Sequence, residues 1–136
     1  MKISRVSARL PEVQQAYIKH LTHLANRYGD EIPCPFCVAS DREIIEQLET
    51  MLVVVNDFAY AKFDGRSVMR HLMIVPKRHE ALFGGFTQNE QAEYWSLMIK
   101  YHEAGFASMT RSAVDLYRSI PNHLHTHLFY YSDDRL

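Results

Sequence analysis

Near the C-terminus of this 136-residue chain, His123, His125 and His127 alternate with Leu124 and Thr126, and Leu128-Phe129-Tyr130-Tyr131 follow. In an extended strand successive side chains point to opposite faces, so the three imidazoles share one face, with neighbours about 7 Å apart. Such a row reaches one bound group from several directions. With an unperturbed pKa of ~6.5, a neutral imidazole offers a nucleophilic lone pair, a hydrogen-bond donor or a metal ligand at neutral pH. The pattern leaves three uses open: a site on a sheet face, a half-exposed histidine-rich strand, or a pair of strand histidines holding a metal.

The two cysteines, Cys34 and Cys37, sit in the proline-bounded stretch Pro33-Cys34-Pro35-Phe36-Cys37. A tight turn of this kind aims two thiolates at one ion; a redox pair and two reduced, free thiols are the competing uses. With His79 and His123 they make a Cys₂His₂ set, a closed tetrahedral arrangement suited to structural zinc. If His123 is so tied, His125 is available to attack an electrophilic phosphorus, provided a carbonyl holds its other nitrogen. His127, one strand step on, would then donate to the phosphoryl or leaving oxygen, with His71 added from a neighbouring strand. Asp57 stands at a strand end, where it accepts ribose hydroxyls or merely forms a turn. Two rival functions remain: a metallohydrolase with His123 and His125 both on zinc, and a nucleotide-binding module without turnover.

These residues need elements to position them. Val13, Tyr17, Ile18, Leu21, Leu24, Ala25 and Tyr28 follow helical spacing, predicting an amphipathic helix over about 10–28, with Pro11 in its first turn. Ser40-Asp41-Arg42-Glu43 reads as a capping box opening a short helix over 42–49. Met51 to Val55 is a β-branched strand leading to Asn56-Asp57; Tyr60 to Phe63 extends or pairs with it before a turn at Asp64-Gly65. A strand from about Met69 to Val75 ends at Pro76-Lys77-Arg78-His79, which puts basic groups and a histidine on a loop. Thr87-Gln88-Asn89-Glu90 caps a helix reaching about Ala107, striped by Tyr94, Leu97, Met98 and Tyr101. Ala113 to Tyr117 reads as a strand joined to the histidine strand through Arg118–Asn122 as a hairpin. Strands segregated from helices in this way imply an α+β fold with an antiparallel sheet.

A chain of 136 residues that is 47% hydrophobic and 12% aromatic has a core's worth of apolar surface, so one domain spanning 1–136 is expected. Its net charge of −1 excludes a broad basic field for a nucleic-acid duplex, though not a single nucleotide. No apolar run has the length of a signal or a membrane span, the longest being Met51 to Val55, and a cytoplasmic location is expected.

His71-Leu-Met-Ile-Val-Pro-Lys-Arg-His79 resembles the His-x-(apolar)-Pro-Lys-x-His segment of the histidine triad superfamily. His123-Leu-His-Thr-His127 resembles its triad strand. The two motifs stand in the family's order, and the likeness runs from about Cys34 to Tyr131. The Cys-x-x-Cys and Asn56-Asp57-Phe58-Ala59 look like the zinc-bearing branch that includes galactose-1-phosphate uridylyltransferase and the bacterial diadenosine polyphosphate hydrolases and phosphorylases. The resemblance implies an antiparallel sheet of about five strands and a homodimer. It also implies a nucleotide or dinucleoside polyphosphate substrate, and a nucleotide hydrolase or nucleotidyl transferase working through a covalent nucleotidyl-histidine. His125 would be the nucleophile, His127 the phosphate contact and His71 a pocket residue. Asp57, beside Asn56, would meet the ribose; Cys34, Cys37, His79 and His123 would hold structural zinc. Lys77, beside the second histidine of the first motif, is placed on the substrate side. The family's glycine-rich phosphate loop has no counterpart here, since Arg118-Ser119-Ile120-Pro121-Asn122 contains no glycine. Ser119 falls at the serine of a Ser-x-Pro-x-His-Leu-His pattern, and Arg118 would supply a guanidinium in place of amide donors.

Overall fold

A computed structural model describes residues 9–28, 34–37, 42–115, 117, 118, 120 and 122–132. The elements run α1 (Pro11–Tyr28), β1 (Ile44–Gln47), β2 (Met51–Val55), β3 (Lys62–Phe63), β4 (Arg66–Pro76), α2 (Gln88–Glu103), β5 (Ala107–Met109) and β6 (Thr126–Tyr131). The strands form one antiparallel sheet of order β1-β2-β4-β6-β5, with β3 paired to β4 off that path. The architecture is α+β, with six strands where about five were expected. Among the described residues no helix is long and apolar enough to cross a membrane.

The period of two sorts the sheet's side chains onto two faces. Met51 and Val53 of β2, Leu72 and Ile74 of β4 and Leu128 of β6 meet Tyr94, Leu97 and Tyr101 of α2 in the larger core cluster. Their sequence neighbours Val54, Met73 and Val75 pack with Phe36 on the opposite face. That second face also carries His71 and His127, because the β4–β6 register sets Met73 against His127 and His71 against Phe129. The chemistry and the helix-packed core are back to back. Truncating Leu97, which α2 buries against the sheet, to alanine should cost about 2–5 kcal/mol by removing transfer energy and leaving a cavity. Urea unfolding would read this loss, while the histidine face stays intact.

The second capping box is observed: Thr87 Oγ1 accepts from the Glu90 amide, and the Glu90 carboxylate accepts from the Thr87 amide at 2.8 Å. The helix it opens stops at Glu103 rather than Ala107, because Gly105 takes a left-handed φ of 99° and turns the chain into β5. The turn at Asp64-Gly65 has positive φ at both residues, 53° and 71°, as a two-residue hairpin requires.

Two expectations are corrected. The short helix at 42–49 is instead strand β1, which pairs with β2 through Ile44↔Val54 and Gln47↔Leu52. Glu93 of α2 fixes the intervening turn by accepting from Thr50 N at 2.7 Å and Thr50 Oγ1 at 2.8 Å. Tertiary pairing overrode the local capping pattern, whose Ser40 and Asp41 lie outside the described residues. The strand expected at Ala113–Tyr117 is not formed among its described residues, which turn at Ala113, Val114 and Tyr117, and β6 pairs on that side with β5. Ser112 Oγ accepts from Val114 N at 3.4 Å and Asp115 Oδ1 from Tyr117 N at 2.9 Å, so short polar side chains capture amides that a strand would need.

Candidate functional site

His123 lies just before β6, and its Nε2 faces the Pro76 carbonyl oxygen at 2.7 Å. A carbonyl only accepts, so Nε2 carries the proton and Nδ1 presents a bare lone pair. That Nδ1 stands 3.3 Å from Cys34 Sγ, 3.4 Å from Cys37 Sγ and 3.3 Å from His79 Nδ1, while His79 Nδ1 stands 3.1 Å from Cys37 Sγ. One lone pair cannot satisfy three neighbours by hydrogen bonding, but four donors around one ion account for all these separations. Zinc bonds of about 2.3 Å to sulfur and 2.0–2.1 Å to nitrogen give tetrahedral edges of roughly 3.3–3.8 Å, and the separations here are at or slightly below that range. All four donor atoms lie within 4.8 Å of one another. The set fits a metal, with the Pro76 carbonyl orienting His123 from behind. Cys34 to Cys37 close a hydrogen-bonded turn, Cys37 N to Cys34 O at 3.0 Å, and Pro35 pre-sets its backbone. Both thiols are free, not bridged. His125 is not a member of this donor group.

His125 is held from the other side. Its Nδ1 faces the His123 carbonyl oxygen at 3.0 Å, so Nδ1 carries the proton and the Nε2 lone pair is left over. Among the described residues no partner meets that Nε2. The ring lies 5.1 Å from that of His127 and 5.5 Å from Phe36. It lines a cleft of about 520 Å³ that His127, Asn56 and Asp57 also line.

The tautomers of the next pair follow from a backbone amide. Tyr60 N–H donates to His71 Nδ1 at 3.0 Å, so a neutral His71 carries its proton on Nε2. That proton is donated to His127 Nδ1 at 2.7 Å, which puts the His127 proton on Nε2. Asn56 Nδ2 lies 3.3 Å from His71 Nε2, a donor beside a donor, while its Oδ1 accepts from Phe58 N at 2.8 Å and shapes the turn bearing Asp57. Burial, reinforced by the Arg9 charge, holds His71 down to about 3; burial, reinforced by His71, holds His127 down to about 2. Burial also pushes His125 below its ordinary value. All three imidazoles are therefore neutral at pH 7.

Those shifts make stability depend on pH. The unfolded chain takes up protons on these histidines below about pH 6.5 and the folded chain does not, so stability falls as pH drops from there towards 3. Between pH 7 and 5 the loss should be about 2 kcal/mol for each of His71 and His127. In His71→Asn the slope of stability against pH over this interval should fall by the His71 share, about 1 kcal/mol per pH unit; an unchanged slope in urea midpoints would refute the assignment.

The other expected site residues are divided. Asp57 is exposed at the cleft. Lys77 is exposed and does not line the cleft; its backbone amide continues the sheet by donating to Thr50 O at 2.8 Å. Arg118 is buried, donates from Nη2 to Ala81 O at 2.8 Å and is not among the residues lining the cleft, though its charge bears on His123 and His125. Ser119 lies outside the described residues. Sequence reasoning missed the cleft's other wall. Tyr17, His20, Leu21 and Leu24 of α1 line it, with Arg9, Phe36, Arg42 and Phe58. Phe58 joins that wall to the rest of the site, with the rings of Tyr17 at 5.1 Å and His20 at 5.3 Å tilted against it. The only sequence signal was the apolar stripe of α1, which names a buried face without naming what it covers.

The architecture matches a HIT family hydrolase from Legionella pneumophila Philadelphia 1, with a TM-score of 0.51 over 71% of this chain and 90% of that one, at 16% identity. The chain has the histidine triad fold. A protein described as HIT-like also matches, at 20% identity and a TM-score of 0.49 over 77% of this chain and 93% of its own. So does a HIT family hydrolase from Clostridium thermocellum, at 18% identity and 0.49 over 71% and 85%. No protein-family model matches the sequence, and no curated protein matches it. Within the histidine triad fold of this chain, the strand β6 and the residues leading into it divide their histidines between two tasks. His123 turns to the cysteines, whereas His125 and His127 face the cleft.

Proposed function

We propose that the chain is a nucleotide hydrolase or nucleotidyl transferase acting at the α-phosphorus of a nucleoside phosphoryl compound through a covalent nucleotidyl-His125. The reading is carried by one observation: the His123 carbonyl fixes the proton of His125 on Nδ1 and leaves the Nε2 lone pair at the cleft. His127 supports it by presenting an Nε2–H beside that lone pair, positioned to hydrogen-bond a phosphoryl oxygen as charge develops. The nitrogen–phosphorus bond forms as the bond to the leaving oxygen breaks, and water or another acceptor then displaces the imidazole. Asp57 would accept from the ribose hydroxyls at the end of β2.

Zinc is the metal that the Cys34, Cys37, His79, His123 set suits best, and with four protein ligands it would be structural, fastening the Cys34–Cys37 turn to the residues before β6. The likeness of the Cys-x-x-Cys and Asn56–Ala59 segments to the zinc-bearing branch supports this reading. A homodimer belongs to the same reading, since β5 is an edge strand and Trp95 and Ile99 stand exposed on the neighbouring α2. Sedimentation equilibrium should give twice the 15.9 kDa chain mass.

The test is direct. The protein is incubated with nucleoside diphosphates, dinucleoside polyphosphates and sugar nucleotides, and products are separated by chromatography. Release or transfer of a nucleoside monophosphate, with a nucleotidyl adduct on the His125 peptide after alkaline quench, is expected. Tight binding without product from any of them would leave a binding module instead.

A further inference from the structure

Of the two imidazoles in the cysteine and histidine cluster, one is fastened from behind and the other is not. His123 donates from Nε2 to Pro76 O at 2.7 Å, whereas among the described residues no protein group meets His79 Nε2. A metal-binding histidine is ordinarily aligned by a hydrogen bond to its second nitrogen. His79 is also exposed, on the loop after β4. Something else must hold its Nδ1 at 3.1 Å from Cys37 Sγ and 3.3 Å from His123 Nδ1.

Its neighbours in sequence are clamped on both sides. Arg78 lays a fork on Glu90, with Nη2 donating to Oε1 at 2.9 Å and Nε to Oε2 at 3.3 Å. Its Nη2 also donates to Gly85 O at 2.6 Å, and its Nη1 to Glu80 Oε2 at 3.2 Å. The other Glu80 oxygen accepts from the amides of Ala81 and Leu82, each at 3.1 Å. Glu90 is 2% exposed and belongs to the capping box that opens α2, so the anchor is itself fixed. An ion pair between exposed side chains is worth little, but a planar fork on a buried carboxylate that is already bonded sets orientation. The same loop is stitched to the histidine segment: Leu124 N donates to Glu80 O at 2.7 Å, and the buried Arg118 donates to Ala81 O at 2.8 Å. His79 and His123 therefore stand on two segments tied to each other beside the cluster, and one of them is tied to the start of α2.

Resting on the metal site proposed above, we infer that Arg78, Glu80 and Glu90 are positioning residues for it: clamped to the start of α2, they hold the backbone of His79 so that Nδ1 faces Cys37 and His123. The clamp takes the place of the alignment that the Pro76 carbonyl gives His123. None of the three belongs to the donor set itself. Gly85 leaves room for the clamp, since a Cβ there would come within 2.2 Å of Glu80 Cδ and the flexible Glu80 side chain would have to leave its seat.

Zinc affinity of the full chain, read by competition with a chromophoric chelator, tests the inference, with the absorption spectrum of the Co(II)-substituted chain as a second readout. Arg78→Gln should weaken zinc binding about 10–100-fold, and Arg78→Lys, which keeps the charge but not the fork, should recover part of that. Gly85→Ala changes no charge and should weaken binding about tenfold by unseating Glu80. In the Co(II) form of Arg78→Gln and Gly85→Ala the d–d absorption of the tetrahedral ion should change as His79 loosens, while the thiolate charge-transfer band persists. Leu97→Ala, in the core on the other face of the sheet, is the control. It should lower stability and leave zinc affinity within about twofold, because the two sites share no partner. Either clamp variant that keeps zinc affinity within about twofold and the Co(II) spectrum of the intact chain overturns the inference, whatever it does to stability. Should Arg78→Gln fail to fold, Gly85→Ala decides. An intact chain that binds no zinc defeats the metal site itself, and the inference with it, before any variant is made.

Discussion

His125→Ala is expected to lower kcat by at least about 10⁴-fold on every nucleotide substrate while leaving nucleotide binding within a few-fold. The ring is the only cleft imidazole among the described residues whose lone pair is left over by its own hydrogen bond, because the His123 carbonyl occupies the opposite nitrogen. His127 cannot replace it: its Nδ1 lone pair is engaged by His71 at 2.7 Å and its other nitrogen carries a proton. The variant keeps the cleft but lacks the attacking nitrogen, so the loss should fall on kcat and not on KM. A His127→Ala variant should behave differently, losing about 10²–10³-fold through a missing oxyanion-type donor while still forming the adduct. Steady-state kinetics with calorimetric binding of a nucleoside monophosphate would separate the two. Retention of turnover by His125→Ala within tenfold of the intact chain would remove the nucleophile from the account.

The second large effect is on the metal. His123→Ala removes one of the four side chains that could hold a metal and also the Nε2–H bond to Pro76 O that ties the residues before β6 to the end of β4. Binding free energy at a structural site of this kind is folding free energy. We expect about 3 kcal/mol or more of stability to be lost, which for a chain of this size is a fall in Tm of roughly 10 °C. Metal analysis of the intact protein should return one zinc per chain, and chelation should lower the Tm of the intact chain towards that of the variant. Turnover should fall too, since Phe36, carried by the Cys34–Cys37 turn, packs against His125. If His123→Ala melted with the intact chain and kept its metal, the four-ligand site would be wrong.

What the sequence disclosed was the chemistry that repeats at short spacing. The alternation of His123, His125 and His127 and the Cys34-Pro-Phe-Cys37 turn are local patterns, and Thr87-x-x-Glu90 announced α2 because a capping box is a contact between near neighbours. Where distance in space decided the outcome, the sequence was mute or misleading. Ser40 to Glu43 carried a capping pattern as good as the one at Thr87, yet 44–47 became a strand because β2 and Glu93 were there to pair with it. Asp115 and Ser112 turned an expected strand into turns through bonds of two residues' span, a signal present in the letters but weaker than the β-branched and aromatic content around it. The cleft wall made by α1 could not be read at all, since nothing local says that Tyr17 and His20 meet Phe58. The proton wiring of His71 was equally hidden, because it depends on the main-chain amide of Tyr60, eleven residues away.

The stereochemical course at phosphorus tests the central claim most directly. With a nucleoside 5′-phosphorothioate anhydride of known configuration and isotopically labelled water, two in-line displacements through nucleotidyl-His125 predict net retention at the α-phosphorus. Inversion would mean that water attacks the phosphorus itself, and His125 would not be the nucleophile.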